Sequence, residues 1–169
     1  GFINVISDAI QNEKLDVTTV FECRAEHLVK DDAGRVVGVT GVSTADGTPY
    51  TVSANKGVII ASGGFSANVE MRQEYDEIWG NLTEAVPTTN APTITGDGIV
   101  MAKEIGAALI GMGQIQLLPL ADPVTGSTSN IIGEGTNMYV NQEGKRFVNE
   151  PPRRDVLAKA ILKQTGSYC

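Results

Sequence analysis

The chain has 169 residues, of which 41% are hydrophobic and 20% charged. This is enough for one domain with a hydrophobic core, and it excludes a disordered or fibrous chain. The formal net charge is −7, which argues against nucleic-acid binding because only residues 144–154 offer a basic face. No apolar run approaches the roughly 20 residues of a membrane span, and the first residues lack the basic start of a signal peptide.

The first half of the chain predicts a helix followed by a β-meander. Apolar residues between positions 2 and 13 recur at helical spacing, which gives one apolar face. Residues 17–54 read as an antiparallel meander, with turns at Asp31–Gly34 and at Asp46-Gly47.

The second half alternates short elements with polar loops. "GVIIASGG" predicts a strand that ends in Ser62-Gly63-Gly64, and a helix capped by Asn68 follows it. Residues 79–95 and 119–136 read as loops, and a further helix follows "TGDG". "NMYVNQEGKRFVN" predicts two short strands around a turn at Gln142–Gly144, and the last helix is expected from about 153 to 165.

Two glycine-containing motifs have both a functional and a structural interpretation. Paired glycines after a strand let the backbone approach a ligand closely, although many such turns are only structural. In "TGDG", Asp97 either accepts hydrogen bonds from a cofactor hydroxyl or caps the helix that follows.

The stretch "GKRFVNEPPRRD" concentrates cations in an acidic chain. Arg153 and Arg154 stand at the start of the last helix, where a cation is mildly unfavourable and Asp155 is favourable. Either these arginines are solvated surface residues, or an anion lies near them. Arginine suits a carboxylate because its planar fork donates two parallel hydrogen bonds.

Together these motifs resemble the flavoprotein subunit of the fumarate reductase and succinate dehydrogenase family. "VIIASGGFSANVEMRQEY", "TNAPTITGDGIVMAKEIGAAL" and "VNQEGKRFVNEPPRRD" carry the resemblance in order. It is strongest to the soluble branch with flavocytochrome c fumarate reductase and urocanate reductase. The chain looks like an internal fragment of such a protein, because the family's GxGxxG loop and its C-terminal part are absent from the 169 residues.

The resemblance implies an α/β fold, or α+β for these residues alone. Residues 1–115 would form the middle of a Rossmann-like FAD-binding domain with its β-meander. Residues 116–169 would begin an α+β capping domain that closes over the substrate.

The resemblance also implies roles for individual residues. The catalytic residue is Arg154, as the acid that protonates the substrate. No metal is implied, and the remaining residues are assigned to FAD (Glu26, Ser62, Gly63 and Asp97) and to the substrate (Thr128, Leu118 and Glu134). Glu134 would substitute for an acid of the family's proton relay, and Leu118 stands where the family has a fumarate-binding histidine.

The function implied is FAD-dependent reduction of a small α,β-unsaturated carboxylate. The electron donor would be a domain or protein of FMN or haem type. Two alternatives stay open: a flavin-dependent 3-ketosteroid dehydrogenase, or a non-catalytic fragment without bound cofactor. The bacterial cytoplasm and the cell envelope are both compatible locations.

Overall fold

The structure is a computed structural model that describes residues 1–12, 15–80, 82–119, 122, 138–150 and 153–167. The chain forms two compact units, Gly1–Val58 and Ile59–Cys169. No described helix combines the length and the apolar character that crossing a membrane requires.

The first unit contains the predicted helix and the predicted meander. Helix α1 covers Phe2–Asn12, and its apolar face is exposed, with Phe2 90% accessible. Strands β1 (Cys23–Lys30), β2 (Val36–Ser43) and β3 (Pro49–Ser53) form an antiparallel sheet in the order β1-β2-β3. The prediction of an antiparallel meander is therefore confirmed.

Both predicted turns connect these strands. The amide of Gly34 donates to the carbonyl of Asp31 at 2.9 Å, and that of Gly47 donates to Ser43 at the same distance. Gly47 has φ +75°, a conformation that glycine adopts without strain. The β1–β2 register shifts between Ala25 and His27, so Glu26 lies in a β-bulge.

The described residues of the second unit form three short α-helices: α2 (Val69–Tyr75), α3 (Asp97–Glu104) and α4 (Arg154–Leu162). A 3-10 turn, Thr165–Ser167, follows α4. The buried apolar residues of the second unit come from all three helices and from one loop: Met71, Leu82, Met101, Leu157 and Ala158. Leu82 is fully buried, so the polar segment after α2 is anchored to the core.

The cap predicted for α2 is confirmed. The Asn68 side chain accepts a hydrogen bond from the amide of Met71 at 3.0 Å, and it donates to the carbonyl of Thr95 at 3.0 Å. Asn68 thus both begins α2 and holds the loop that leads into α3.

Two element predictions are wrong, and the last helix is confirmed with an earlier end than predicted. Residues 57–64 form no strand, because a strand needs a hydrogen-bonded neighbour and the described residues supply none. The two strands expected around Gln142–Gly144 reduce to a single bridge between Val140 and Arg146. Helix α4 ends at Leu162 rather than near 165, and Gly166, just beyond it, has a positive φ of +75°.

Candidate functional site

The two glycine motifs meet in the second unit. Gly98 packs on the segment before the paired glycines, so that a Cβ at position 98 would overlap Ser62 Oγ and Ile60 Cγ2. Gly96 has φ +90°, and a Cβ there would lie 2.6 Å from Met71 Sδ. Only glycine allows this approach. The structure therefore brings Ser62, Gly63 and Asp97 into one region.

Asp97 is the first residue of α3 and does not cap it. The N-cap position is Gly96, and no side chain caps the helix. The Asp97 carboxylate instead accepts a hydrogen bond from Thr95 Oγ1 at 2.6 Å. The alternative interpretation of Asp97 as a helix cap is wrong. Its carboxylate lies exposed at the helix N-terminus, where it can accept further hydrogen bonds.

Glu26 belongs to the first unit. It is the bulged residue of β1, and its carboxylate accepts a hydrogen bond from Arg24 Nη2 at 2.7 Å. The Glu26 side chain is 32% exposed, so this ion pair leaves carboxylate surface accessible.

Two of the four cationic side chains of residues 144–154 are engaged locally. Arg146 Nε donates to Glu150 at 3.0 Å, and Arg153 donates to Asp155 through Nε at 3.1 Å and Nη2 at 2.8 Å. The sequence predicts that Arg153 meets solvent or Glu150. Its side chain is 83% exposed, which confirms the first, while its ion-pair partner is Asp155 and Glu150 is held by Arg146.

Arg154 differs from these neighbours. It is exposed at the first position of α4, and no described residue forms a hydrogen bond or an ion pair with its side chain. In an α-helix, residues four and seven positions apart share a face. Arg154 therefore lies on the face of α4 that carries Ala158 and Ile161.

Glu150 anchors the chain before α4. Its carboxylate also accepts a hydrogen bond from the amide of Tyr139 at 3.1 Å, and its side chain is only 9% exposed. The hydrogen bond from Arg146 is the main reason that the pKa of Glu150 falls from 4.5 to about 2. Asn141 lies directly before the turn at Gln142–Gly144. Its Nδ2 donates to Gln164, two residues after the end of α4, at 3.1 Å.

A cavity of about 510 Å³ lies inside the second unit. Leu118 lines it together with Phe65, just after the paired glycines, and with Ala158 and Ile161 of α4. Leu118 and the glycine segment thus share one cavity, although Arg154 is not among its lining residues. The cavity presents more apolar than polar surface, which suits an organic ligand with few charges.

Two of the predicted substrate residues, Thr128 and Glu134, lie outside the described residues. Among the described residues, no group of three or more His, Cys, Asp or Glu side chains is placed to hold a metal ion.

Sequence reasoning missed Arg72 of α2. Its side chain is only 6% exposed, and it donates to the carbonyls of Val86 at 2.8 Å and Thr83 at 3.3 Å. Burial lowers the pKa of its guanidinium. No local signal could have identified it, because both acceptors are backbone carbonyls more than ten residues along the chain.

Residues 3–168 match the FAD binding domain family. The chain belongs to this family. It is 41% identical over 167 residues to an NADH:acrylate oxidoreductase of Vibrio harveyi, covering 98% of the chain and 16% of that protein. It is 43% identical over 145 residues to a urocanate reductase of Eggerthella lenta, covering 84% of the chain and 23% of that protein.

Solved structures give the same assignment. The open conformation of a flavocytochrome c3 fumarate reductase matches with a TM-score of 0.77 at 32% identity, over 98% of this chain and 28% of that one. A 3-ketosteroid-Δ4-(5α)-dehydrogenase from Rhodococcus jostii matches with a TM-score of 0.64 at 28% identity, over 89% of this chain and 28% of that one. The resemblance predicted from the sequence is confirmed, and the cofactor of the family is FAD.

The residues that meet around Gly98 fit such a cofactor. Positions 96 and 98 have no room for a Cβ, so the backbone there is closely packed, and the Asp97 carboxylate is not used as a helix cap. Exposed backbone at Gly63 and Gly64 leaves space for a flat ligand.

Proposed function

We propose that the full-length protein is an FAD-dependent reductase of the carbon–carbon double bond of a small α,β-unsaturated carboxylate. FAD supplies a hydride when it is bound. Ser62, Gly63, Asp97 and Glu26 would hold it, and Arg154 would deliver a proton to the second alkene carbon. Residues 1–115 would belong to the FAD-binding domain and residues 116–169 to a capping domain.

The named relatives support the class of substrate. The chain is similar to proteins named for acrylate, urocanate and fumarate. The chain spans between 16% and 28% of the length of these proteins. A domain or protein with FMN or haem as electron donor is part of the same proposal.

One observation carries the assignment of Arg154. It is an arginine at the start of a helix, without a partner among the described residues, while Arg146 and Arg153 are both paired with carboxylates. It also shares a helix face with residues that line the cavity. A guanidinium hardly ever loses its proton, so Arg154 would act with rapid reprotonation through a relay, to which we assign Glu134. Thr128 would bind the substrate carboxylate.

Leu118 narrows the choice of substrate. A dicarboxylate needs polar partners at both ends, since burying an unpaired carboxylate is costly. Leu118 instead gives the cavity an apolar wall. We therefore propose a monocarboxylate with an apolar or aromatic β-substituent in preference to fumarate.

The similarity to a 3-ketosteroid dehydrogenase structure supports a second candidate function, the flavin-dependent dehydrogenation of a 3-ketosteroid. Arg154 disfavours it, because a neutral ketone has no carboxylate for its unpaired guanidinium to bind.

The test is a substrate panel on the full-length holoenzyme with a reduced dye as electron donor. We expect reduction of acrylate or 3-aryl acrylates with a higher kcat/KM than that of fumarate. If fumarate is the best substrate, the role of Leu118 is wrong. If only ketosteroids react, the reductase assignment is wrong.

The same assay separates the two arginines. Arg154→Ala and Arg154→Lys should both retain FAD and lose at least about 100-fold in kcat, the scale of a removed general acid. Lysine keeps the charge but lacks the planar fork. Arg153→Ala is the matched control and should lose much less, because Arg153 is engaged by Asp155. A larger loss in Arg153→Ala would show that the wrong arginine was assigned.

A further inference from the structure

Arg72 is a buried cation with an unusual set of partners. Its side chain donates to the carbonyls of Val86 and Thr83, and its buried Nε has no hydrogen-bond partner among the described residues. No described carboxylate pairs with it. Burying a charge costs free energy, and hydrogen bonds to neutral carbonyls offset this cost only in part. The two carbonyls show what it holds, which is the loop that follows α2.

The loop held by Arg72 forms one side of the cavity. We name residues 83–90 the wall segment, since its residues from Ala85 to Asn90 line the cavity that Leu118 also lines. The wall segment contains no helix or strand, so the backbone ladder of a regular element does not fix its position. Side-chain hydrogen bonds must hold it instead.

A second contact ties the far end of the wall segment to the glycine motif. Asn90 Nδ2 donates to Ser66 Oγ at 2.9 Å, and Ser66 lies two residues after Gly64. The wall segment is therefore fixed at one end to α2 and at the other end to the segment that we assign to FAD.

The wall segment also offers the cavity its hydroxyl groups. Thr88 and Thr89 both line the cavity. Thr88 Oγ1 accepts from the amide of Asn90 at 3.1 Å, so its own proton is available to donate. The same cavity is also lined by the apolar side chains of Leu117, Leu118 and Ile161.

We propose that the wall segment selects the β-substituent of the substrate and that Arg72 is its positioning residue. This proposal rests on the proposed function. Arg72 also lines the cavity, and we assign it a positioning role because its guanidinium is held by two carbonyls of the wall segment. It sets how far the wall segment stands from Leu118, and this distance decides which substituent fits between a hydroxyl-bearing wall and an apolar one.

The experiment compares full-length holoenzymes that carry Arg72→Met, Arg72→Lys and Thr88→Val with the unchanged enzyme. Exposed Thr51 of β3, changed to valine, is the matched control. Each enzyme is tested with acrylate and a 3-aryl acrylate, below its measured Tm. The unchanged enzyme tests the proposed function, and the ratio of the two kcat/KM values tests the role of the wall segment.

We expect Arg72→Met and Arg72→Lys to change this ratio at least about tenfold, the usual scale for a misfitted pocket. We expect Arg72→Lys not to preserve the ratio, because a single ammonium group cannot reproduce the planar guanidinium that donates to two carbonyls. The change should appear mainly in KM. Thr88→Val should alter the ratio in the same direction, and Thr51→Val should leave it unchanged.

Two results would overturn the proposal. One is an unchanged ratio in both Arg72 variants with a lower Tm, which would make Arg72 a purely structural residue. The other is a ratio that changes for Arg72 but not for Thr88, which would mean that the wall segment does not read the substituent. If the unchanged enzyme reduces no unsaturated acid, binding of the saturated 3-aryl propionate is a second readout. This ligand should perturb the flavin absorbance of the unchanged enzyme at a lower ligand concentration than it needs to perturb the flavin absorbance of Arg72→Met. Equal concentrations would refute the proposal independently of turnover.

Discussion

Replacing Gly98 with alanine should separate the two motifs that we assign to FAD. Gly98 is the second residue of α3 and packs on Ser62 and Ile60, with no room for a methyl group. The atoms that would clash are Ser62 Oγ and Ile60 Cγ2, and the β-branched isoleucine has few rotamers into which it can move. The added methyl group must therefore push α3 away from the segment that ends in Gly63.

Two opposing effects set the size of the change. Alanine favours a helical backbone over glycine by about 0.5–1 kcal/mol. Overpacking a closely packed contact costs about 1–3 kcal/mol. Because the clash involves two side chains, we expect overpacking to win, with a net loss of about 1–2 kcal/mol in the free energy of unfolding.

The assay measures both stability and FAD binding of the full-length protein. Thermal unfolding of the FAD-free form should show a lower Tm for Gly98→Ala. FAD titration, followed by flavin fluorescence, should show a weaker affinity by about tenfold or more, which corresponds to about 1.4 kcal/mol. The matched control is Gly57→Ala, since a Cβ at Gly57 meets nothing within 4 Å. A Gly98→Ala protein with raised Tm and unchanged FAD affinity would refute this reasoning.

Two further predictions concern carboxylates. Asp97→Ala should weaken FAD binding while the Tm of the FAD-free protein falls little, because Asp97 caps no helix. Full flavin content with a lower Tm would instead mean that Asp97 only stabilises helix α3 through its interaction with the helix dipole. Glu150→Gln should lower Tm at neutral pH. Since the pKa of Glu150 falls from 4.5 to about 2 on folding, its contribution is fully present above pH 4.5 and is lost as pH falls toward 2. The Tm difference between the two proteins should therefore shrink below pH 4.5, and a constant difference would contradict the pairing with Arg146.

The features that the sequence predicted correctly depend on neighbouring residues. The turns at Gly34 and Gly47 and the Asn68 cap involve partners three or four positions apart. Short-range rules describe such contacts well. The apolar period of α1 belongs to the same class, because a helix is built from local hydrogen bonds.

The features that it missed depend on distant partners. The apolar segment "GVII" has strand composition, but only a neighbouring strand can complete it, and none of the described residues does so. Arg72 reads as an ordinary helix cation, yet it is buried against carbonyls of the wall segment. The sequence also allowed Arg153 to meet Glu150, and the competition from Arg146 for that carboxylate becomes visible only in the folded hairpin.

The arrangement of charge at the start of α4 motivates the role that we propose for Arg154. Cations at a helix N-terminus are unfavourable by about 0.3–1 kcal/mol each. At Arg153 this cost is offset by Asp155, whose carboxylate both pairs with the guanidinium and favours the helix dipole. Arg154 has no such compensation among the described residues. A sequence selected for stability alone gains nothing from an unpaired arginine there, whereas a site that must bind a carboxylate and deliver a proton requires a guanidinium that the protein itself leaves unpaired.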